Sequence, residues 1–234
     1  MRLEFKKPNC IDCEARTNSY FNNLSIIDLR ELNREKTCNL YKKNQNIFYA
    51  GTNSNGIYCL QRGRIKLFKQ DITGKEQIIR FIAPGQLFGL KSFIERGNYS
   101  ATSTALEDSI VCFINKDKIF NLMRIYPNLT NYMLVSLSKM LNDAESRMTS
   151  IALKNVRERV AEVLIILLNT YNTDEESMEI RISREDLANC AGSATENVIR
   201  VLSDFKQEKL ISIRGKILTI LNIKGLQQVG NLIT

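Results

Sequence analysis

The chain has 234 residues, with 33 Lys and Arg against 25 Asp and Glu, six cysteines, and no histidine or tryptophan. At 44% hydrophobic it can bury a substantial core, and its length fits one large domain or two smaller ones. Without histidine, Ser–His and Cys–His catalysis and His-ligated metals are excluded, so the chain is not expected to be an enzyme.

No apolar run approaches the roughly 18–20 residues that span a bilayer, and the charged segment Met1 to Lys7 lacks the apolar stretch of a secretory signal. A cytoplasmic protein with no membrane partner is expected, its cysteines kept as thiols or metal ligands rather than disulfides. The formal charge of +8 is uneven: residues 1–150 hold 22 basic and 14 acidic side chains, and residues 151–234 hold 11 of each. Any nucleic-acid contact by the C-terminal part must therefore rest on where its charges sit.

In chain order, residues 1–24 form an arm carrying Cys10-x-x-Cys13. Seven of the eleven glycines then fall between Gly51 and Gly97, separating short β-rich segments such as Arg64-Ile-Lys-Leu-Phe68 and Gln77-Ile-Ile-Arg-Phe-Ile82. Short strands with regular glycine turns predict an antiparallel β-roll, placed within residues 25–126 and ending in Ser109-Ile-Val-Cys-Phe-Ile114. Asn115 is placed to cap a helix over 116–125, and Pro127 suits the first turn of a longer helix over 127–152. On that helix Met133, Leu137, Met140, Ala144, Met148 and Ile151 step by three or four residues, with Leu141 beside them. The stripe either lies on its own roll or seals a two-helix dimer; its length favours the dimer seam.

Residues 153–234 open with an amphipathic helix over 155–171, followed by a polar, acidic loop from Thr170 to Glu179. Ser183-Arg-Glu-Asp186 then starts a short helix by the Ser-x-x-acid signal. Small Ala188, the break at Gly192, and Val198 ten residues after Ala188 are the spacing of a helix-turn-helix, with Leu187, Ala191 and Val201 completing its core. Leu210 to Leu221 reads as two short strands around the basic tip Arg214-Gly-Lys216. Together these make a winged helix, so the fold class is α+β: β-roll, long helix, winged helix-turn-helix.

In such a module the start of the second helix enters the major groove of double-stranded DNA. Thr195, Glu196, Ile199 and Arg200 are the candidate base readers. Arg200 can donate twice to a guanine and Glu196 can accept from a cytosine amino group. Ser193, Asn197, Lys206, Arg214 and Lys216 are the candidate phosphate contacts; the plain alternative is a surface ion pair for Glu196 and Arg200 and a solvated face for Lys206, Arg214 and Lys216.

This order of parts resembles the CRP/FNR family of bacterial transcription regulators over nearly the full chain. The resemblance rests on Tyr49-Ala-Gly51, Ile57-Tyr-Cys-Leu-Gln-Arg-Gly63, Pro84-Gly-Gln-Leu-Phe-Gly89, Asn155-Val-Arg-Glu-Arg-Val160 and Thr195-Glu-Asn-Val-Ile-Arg200. It implies a homodimer that binds near-palindromic operators, touches RNA polymerase, and reads bases with the residues matching Glu196 and Arg200. Ile199 departs from the small or hydroxyl residue usual there. It also implies an effector pocket in a cyclic-nucleotide-binding-like roll, at Gly85, Gln86, Leu87, Gly89, Tyr99 and Ser100. Gln86 and Tyr99 replace the family's ribose-binding glutamate and phosphate-binding arginine, so cAMP is not the expected ligand.

Cys10, Cys13 and Cys112 match three of the four iron–sulfur ligands of the family's oxygen-sensing branch. The fourth falls near Ser19 or Asn22, and Cys38, then Cys59, are the replacements. An iron–sulfur cluster or zinc on Cys10, Cys13, Cys38 and Cys112 is one expectation. Buried structural thiols are the other, and Cys190 is assigned to these outright. The leading function is a DNA-binding transcription regulator controlled by an effector or redox signal; the alternative is a metal- or nucleotide-binding regulatory subunit acting on a protein partner.

Overall fold

The computed structural model describes residues 7–19, 21–171 and 178–232. The first six residues of the expected arm and residues 172–177 of the expected acidic loop lie outside them. The chain divides into two units, Met1–Lys69 with Arg80–Leu141 and Gln70–Ile79 with Asn142–Thr234.

The first unit begins with a 3-10 turn, Glu14–Asn18, and helix α1 (Ile26–Glu35). Ser25 caps α1 by accepting the amide of Asp28. Strands β1 (Thr37–Tyr41), β2 (Asn46–Phe48), β3 (Gly56–Arg62), β4 (Ile65–Gln70), β5 (Glu76–Ile82), β6 (Leu87–Phe88), β7 (Thr102–Ala105) and β8 (Ser109–Asn115) follow. They form two four-stranded sheets, ordered β1-β8-β3-β6 and β2-β7-β4-β5.

The expected roll is there, and its turn at Gly63 requires glycine. Gly63 has φ +101°, and a Cβ there would lie 2.2 Å from Ser109 Oγ and 2.8 Å from Ser109 Cα. Only glycine fits both the conformation and the space.

Helix α2 (Leu90–Glu95) interrupts the strands, and α3 (Lys116–Ile125) and α4 (Pro127–Leu153) close the series. Asn115 Oδ1 accepts the Asp117 amide at 2.8 Å, as the capping signal predicted. Two cores result. One gathers Leu29, Leu32, Ile57, Leu87, Ile119 and Leu122 from the helices and the β1-β8-β3-β6 sheet; the other lies around Phe48, Leu60, Ile65, Phe88 and Tyr99.

Helix α4 corrects two members of the expected stripe, Met133 and Met140. Met133 is 1% exposed, and Leu137 and Met140 pack half-buried against the first core, so this part of the helix lies on its own roll. The outward apolar residues include Leu134, Leu141, Met148 and Ile151, exposed at 59, 62, 71 and 53%, beside exposed Tyr132, Val135 and Leu153. With half-buried Leu137 and exposed Ala144 the first four step by 3, 4, 3, 4 and 3 residues, the a/d spacing of a coiled coil. Met133 and Met140 sit one position off that seam. Both faces of α4 are apolar, which is why one stripe could be mistaken for the other.

In the second unit α5 (Val156–Tyr171) buries Val160, Ala161, Leu164 and Leu167. It packs against α6 (Arg184–Ala191), α7 (Thr195–Gln207) and α8 (Ile223–Val229). Strands β10 (Ile211–Arg214) and β11 (Ile217–Ile220) make the predicted hairpin around Gly215, and β9 (Glu179–Arg181) adds a third strand against β11.

Candidate nucleic-acid interface and cysteine wall

The helix-turn-helix is built as its spacing requires. Ser183 Oγ accepts the Asp186 amide at 2.9 Å and bonds the Asp186 carboxylate at 2.6 Å. Gly192 closes α6 in the left-handed region, φ +63° and ψ +45°, with its amide on the Ala188 carbonyl. Ala188 is 1% exposed and Val198 is fully buried, so the helices meet over a small residue with Val198 in the angle.

Two arginines hold this module, and sequence reasoning assigned neither. Arg159 of α5 donates from Nε to the Ala191 carbonyl at 2.8 Å, from one terminal nitrogen to Gly192 O at 3.3 Å, and from the other to Lys154 O at 2.7 Å. Arg184 donates to Gly215 O at the wing tip at 3.0 Å, tying the start of α6 to the hairpin. The signal available was the run Asn155-Val-Arg-Glu-Arg-Val160. Its Asn155 and Glu158 form a reciprocal capping box, Glu158 N to Asn155 Oδ1 at 3.1 Å and Asn155 N to Glu158 Oε2 at 2.7 Å. That cap sets the turn of α5 from which Arg159 reaches the helix-turn-helix.

With Val198, Val201, Leu202 and Phe205 buried, the opposite face of α7 is free. Glu196, Ile199 and Arg200 are exposed on it, Ile199 at 51%, with Thr195 half-buried at the helix start. Neither Glu196 nor Arg200 forms an ion pair among the described residues, so both side chains can take outside partners. Asn197 Nδ2 lies 3.5 Å from Ser193 Oγ at the same end. Arg214 and Lys216 are exposed on either side of Gly215, whereas Lys206 is exposed near the far end of α7.

All of the expected effector residues but Ser100 are buried or half-buried. Leu87 and Tyr99 are 1% and 4% exposed, and the Tyr99 ring stacks on Phe48 with centroids 4.0 Å apart, filling the roll with aromatic carbon. Gln86 Oε1 accepts the Ala83 amide at 3.3 Å, and Gly85 is covered by the arm, where a Cβ would meet Ala15 O at 2.4 Å. Gly89, at φ +79°, starts α2 beside the Tyr99 ring, and only Ser100 of the set is exposed.

Five of the six cysteines converge. Cys112 on β8 is the direct cross-strand partner of Cys38 on β1 and of Cys59 on β3, so three thiols form one row across the sheet. The arm brings Cys10 and Cys13 to a cavity of about 40 Å3 that Lys36, Cys59 and Cys112 also line. Lys36 is 3% exposed, and its Nζ donates to Pro8 O at 2.6 Å. Burial pulls its pKa down, but Cys112 and Cys10 more than offset this and leave it above the ordinary lysine value.

The Cys38 and Cys112 sulfurs lie 2.6 Å apart. Cys38 is lowered to about 7 because Cys112 donates to its thiolate and Lys36 is nearby; Cys112, as the donor and by burial, is held above its ordinary value. The four expected ligands do not fit a metal or cluster as they stand. Among the described residues no group of three or more Cys, Asp or Glu is arranged to hold a metal ion, and two of the four sulfurs engage each other instead. Cys190 is buried in α6, as assigned.

The comparisons agree with both parts. Residues 39–126 match the cyclic nucleotide-binding domain and residues 158–229 the Crp-like helix-turn-helix domain, together about two thirds of the chain. The chain is 28% identical over 225 residues to the transcriptional activator protein FnrA of Stutzerimonas stutzeri, covering 94% of this chain and 92% of that one. It is 28% identical over 192 residues to the fumarate and nitrate reduction regulatory protein of Escherichia coli K12, covering 81% and 76%. In fold it is similar to FixK2 from Bradyrhizobium japonicum, with TM-score 0.75 at 22% identity over 83% of this chain and 96% of that one. No helix among the described residues is long and apolar enough to cross a membrane. With a cyclic-nucleotide-binding-type roll and a Crp-like reader on one polypeptide, the chain belongs to the CRP/FNR family of transcription regulators.

Proposed function

We propose that the chain works in the cytoplasm as a homodimer on an inverted-repeat operator, with RNA polymerase as its protein partner. The observation that carries this is the exposed start of α7. Val198 is fully buried while Ile199 is 51% exposed, so Glu196, Ile199 and Arg200 face outward together. Arg200 takes the bidentate guanine contact and Glu196 the cytosine amino group. Ser193, Asn197, Arg214 and Lys216 hold phosphates, and Lys206 reaches a more distant one.

The dimer forms along Leu134, Leu137, Leu141, Ala144, Met148 and Ile151 of α4, the outward a/d series. Two readers joined in this way meet half-sites about one helical turn apart. The signal is received at the cysteine wall, where five thiols and a buried ammonium meet. An iron–sulfur cluster there would require Cys38 and Cys112 to part, and no step of this mechanism passes through one.

Selection of duplexes from a random pool by the full-length protein tests the reading. An enriched inverted repeat with guanine and cytosine in each half-site is expected. Binding with no sequence preference above the non-specific level would overturn it.

A further inference from the structure

We propose that Cys38 and Cys112 are a redox-active pair, closed to an intrachain disulfide by a hydroperoxide. The geometry comes from the sheet. The two residues are directly opposite on antiparallel β1 and β8, where Cα atoms lie about 4.5–5.5 Å apart, inside the range a disulfide spans. Their sulfurs, at 2.6 Å, are about half an ångström from bonding distance.

The other thiols are placed differently. Cys59 also lies opposite Cys112, but its sulfur faces the carbonyls of Leu60 and Gly85 at 4.0 and 3.9 Å. Cys190 is in the other unit, beside Arg147 at 3.8 Å. Cys10 and Cys13 border the cavity but belong to the arm.

The oxidant must reach a pair that is 8% and 6% exposed. Cys112 lines the cavity of about 40 Å3, which has room for molecules the size of water. Hydrogen peroxide fits such a space, whereas a bulky disulfide reagent does not. Cys112 keeps its proton, while the nearby Lys36 ammonium favours the thiolate of its neighbour Cys38, the member of the pair that reacts.

The ionised member of the pair attacks one peroxide oxygen. An S–O bond forms, the O–O bond breaks, and the departing oxygen takes up the proton that the thiol released and leaves as water. The second sulfur attacks the resulting sulfenic acid. The S–S bond forms, the S–O bond breaks, and hydroxide leaves as water with the second thiol's proton. Two thiols are oxidised to one disulfide while one peroxide is reduced to two waters.

The bond would withdraw two sulfurs from the surroundings of Lys36, whose Nζ holds Pro8 O. The arm carrying Cys10 and Cys13 is therefore the segment whose protection should change. This inference does not depend on DNA binding.

The test is peptide mapping of the full-length protein after one equivalent of hydrogen peroxide and rapid alkylation. A Cys38–Cys112 cross-linked peptide is expected, with loss of two alkylatable thiols, reversal by dithiothreitol, and faster alkylation of Cys10 and Cys13. Cys38→Ser and Cys112→Ser should each abolish that peptide. Six alkylatable thiols after peroxide, a link between any other cysteines, reaction with a bulky disulfide reagent but not with peroxide, or iron held by Cys38 and Cys112 in the isolated protein would each overturn it.

Discussion

Arg159 and Ala191 are 32 positions apart in sequence, yet the Arg159 Nε–H meets the Ala191 carbonyl at 2.8 Å, at the last residue of α6. The same guanidinium also takes the Gly192 carbonyl. A residue with no place on the DNA-facing surface thus fixes the turn from which α7 departs. Charge-assisted bonds of this kind contribute roughly 1.5–3 kcal/mol each when buried, and less where the group is partly exposed. Arg159→Ala should lower the stability of the second unit by about 1–3 kcal/mol and weaken specific and non-specific DNA binding together. Arg159→Lys should not rescue it, because one ammonium cannot reproduce the planar fork. Denaturant unfolding and duplex titration check both outcomes.

Arg200 and Lys216 should separate in a salt titration. Arg200→Ala should cost about 1–3 kcal/mol on the selected operator and relax the preference at one base pair per half-site. Lys216→Ala should weaken all duplexes alike and reduce the slope of log affinity against log salt by about one. Equal slopes for wild type and Lys216→Ala would remove that lysine from the phosphate contacts.

The two faces of α4 make opposite demands. Leu141 is 62% exposed, and Leu141→Glu should leave the fold intact while shifting the protein to monomer in sedimentation and abolishing operator binding. Met133 is 1% exposed in the roll core, and Met133→Ala should cost about 2–5 kcal/mol of stability without dissociating the dimer. If the effects exchange, the seam runs along the stripe first read from the sequence.

These pairs show where the sequence was legible. The helix-turn-helix was readable to the residue because its constraints are local: Ser183 caps α6 and Gly192 takes a positive φ. The roll was readable from its glycines, since Gly63 has no space for a Cβ. Met133 and Met140 share the stripe's spacing because α4 is apolar on two faces, and only the partner of each face tells them apart. The stacking of the Tyr99 ring on Phe48 depends on segments far apart in sequence and leaves no local signal. Strand β9 escaped because three residues with one buried Ile180 carry no pattern; their pairing with β11 makes the strand. The Cys38–Cys112 contact needed the register of β1 on β8, which no spacing in the chain reveals.

The thiols make stability depend on pH in two opposed limbs. Cys38 is lowered from 9.0 to about 7 by the Cys112 S–H, with burial opposing and Lys36 and Lys7 assisting. Between these values the unfolded chain binds more protons than the folded one, so this contribution grows as pH rises from 7 to 9 and is lost as pH falls through 7. Three other wall thiols act the other way. Cys10 is raised by burial, Cys59 is raised to about 12 by burial and the neighbouring Cys13, and Cys112 is raised as donor to Cys38. Above pH 9 the folded state keeps protons that the unfolded state has lost, and stability falls. Urea midpoints under reductant should therefore peak near about pH 9. In Cys38→Ser the rise from 7 to 9 should vanish while the fall above 9 persists. A midpoint that declines steadily from pH 7 would mean that Cys38 holds its proton in the folded chain.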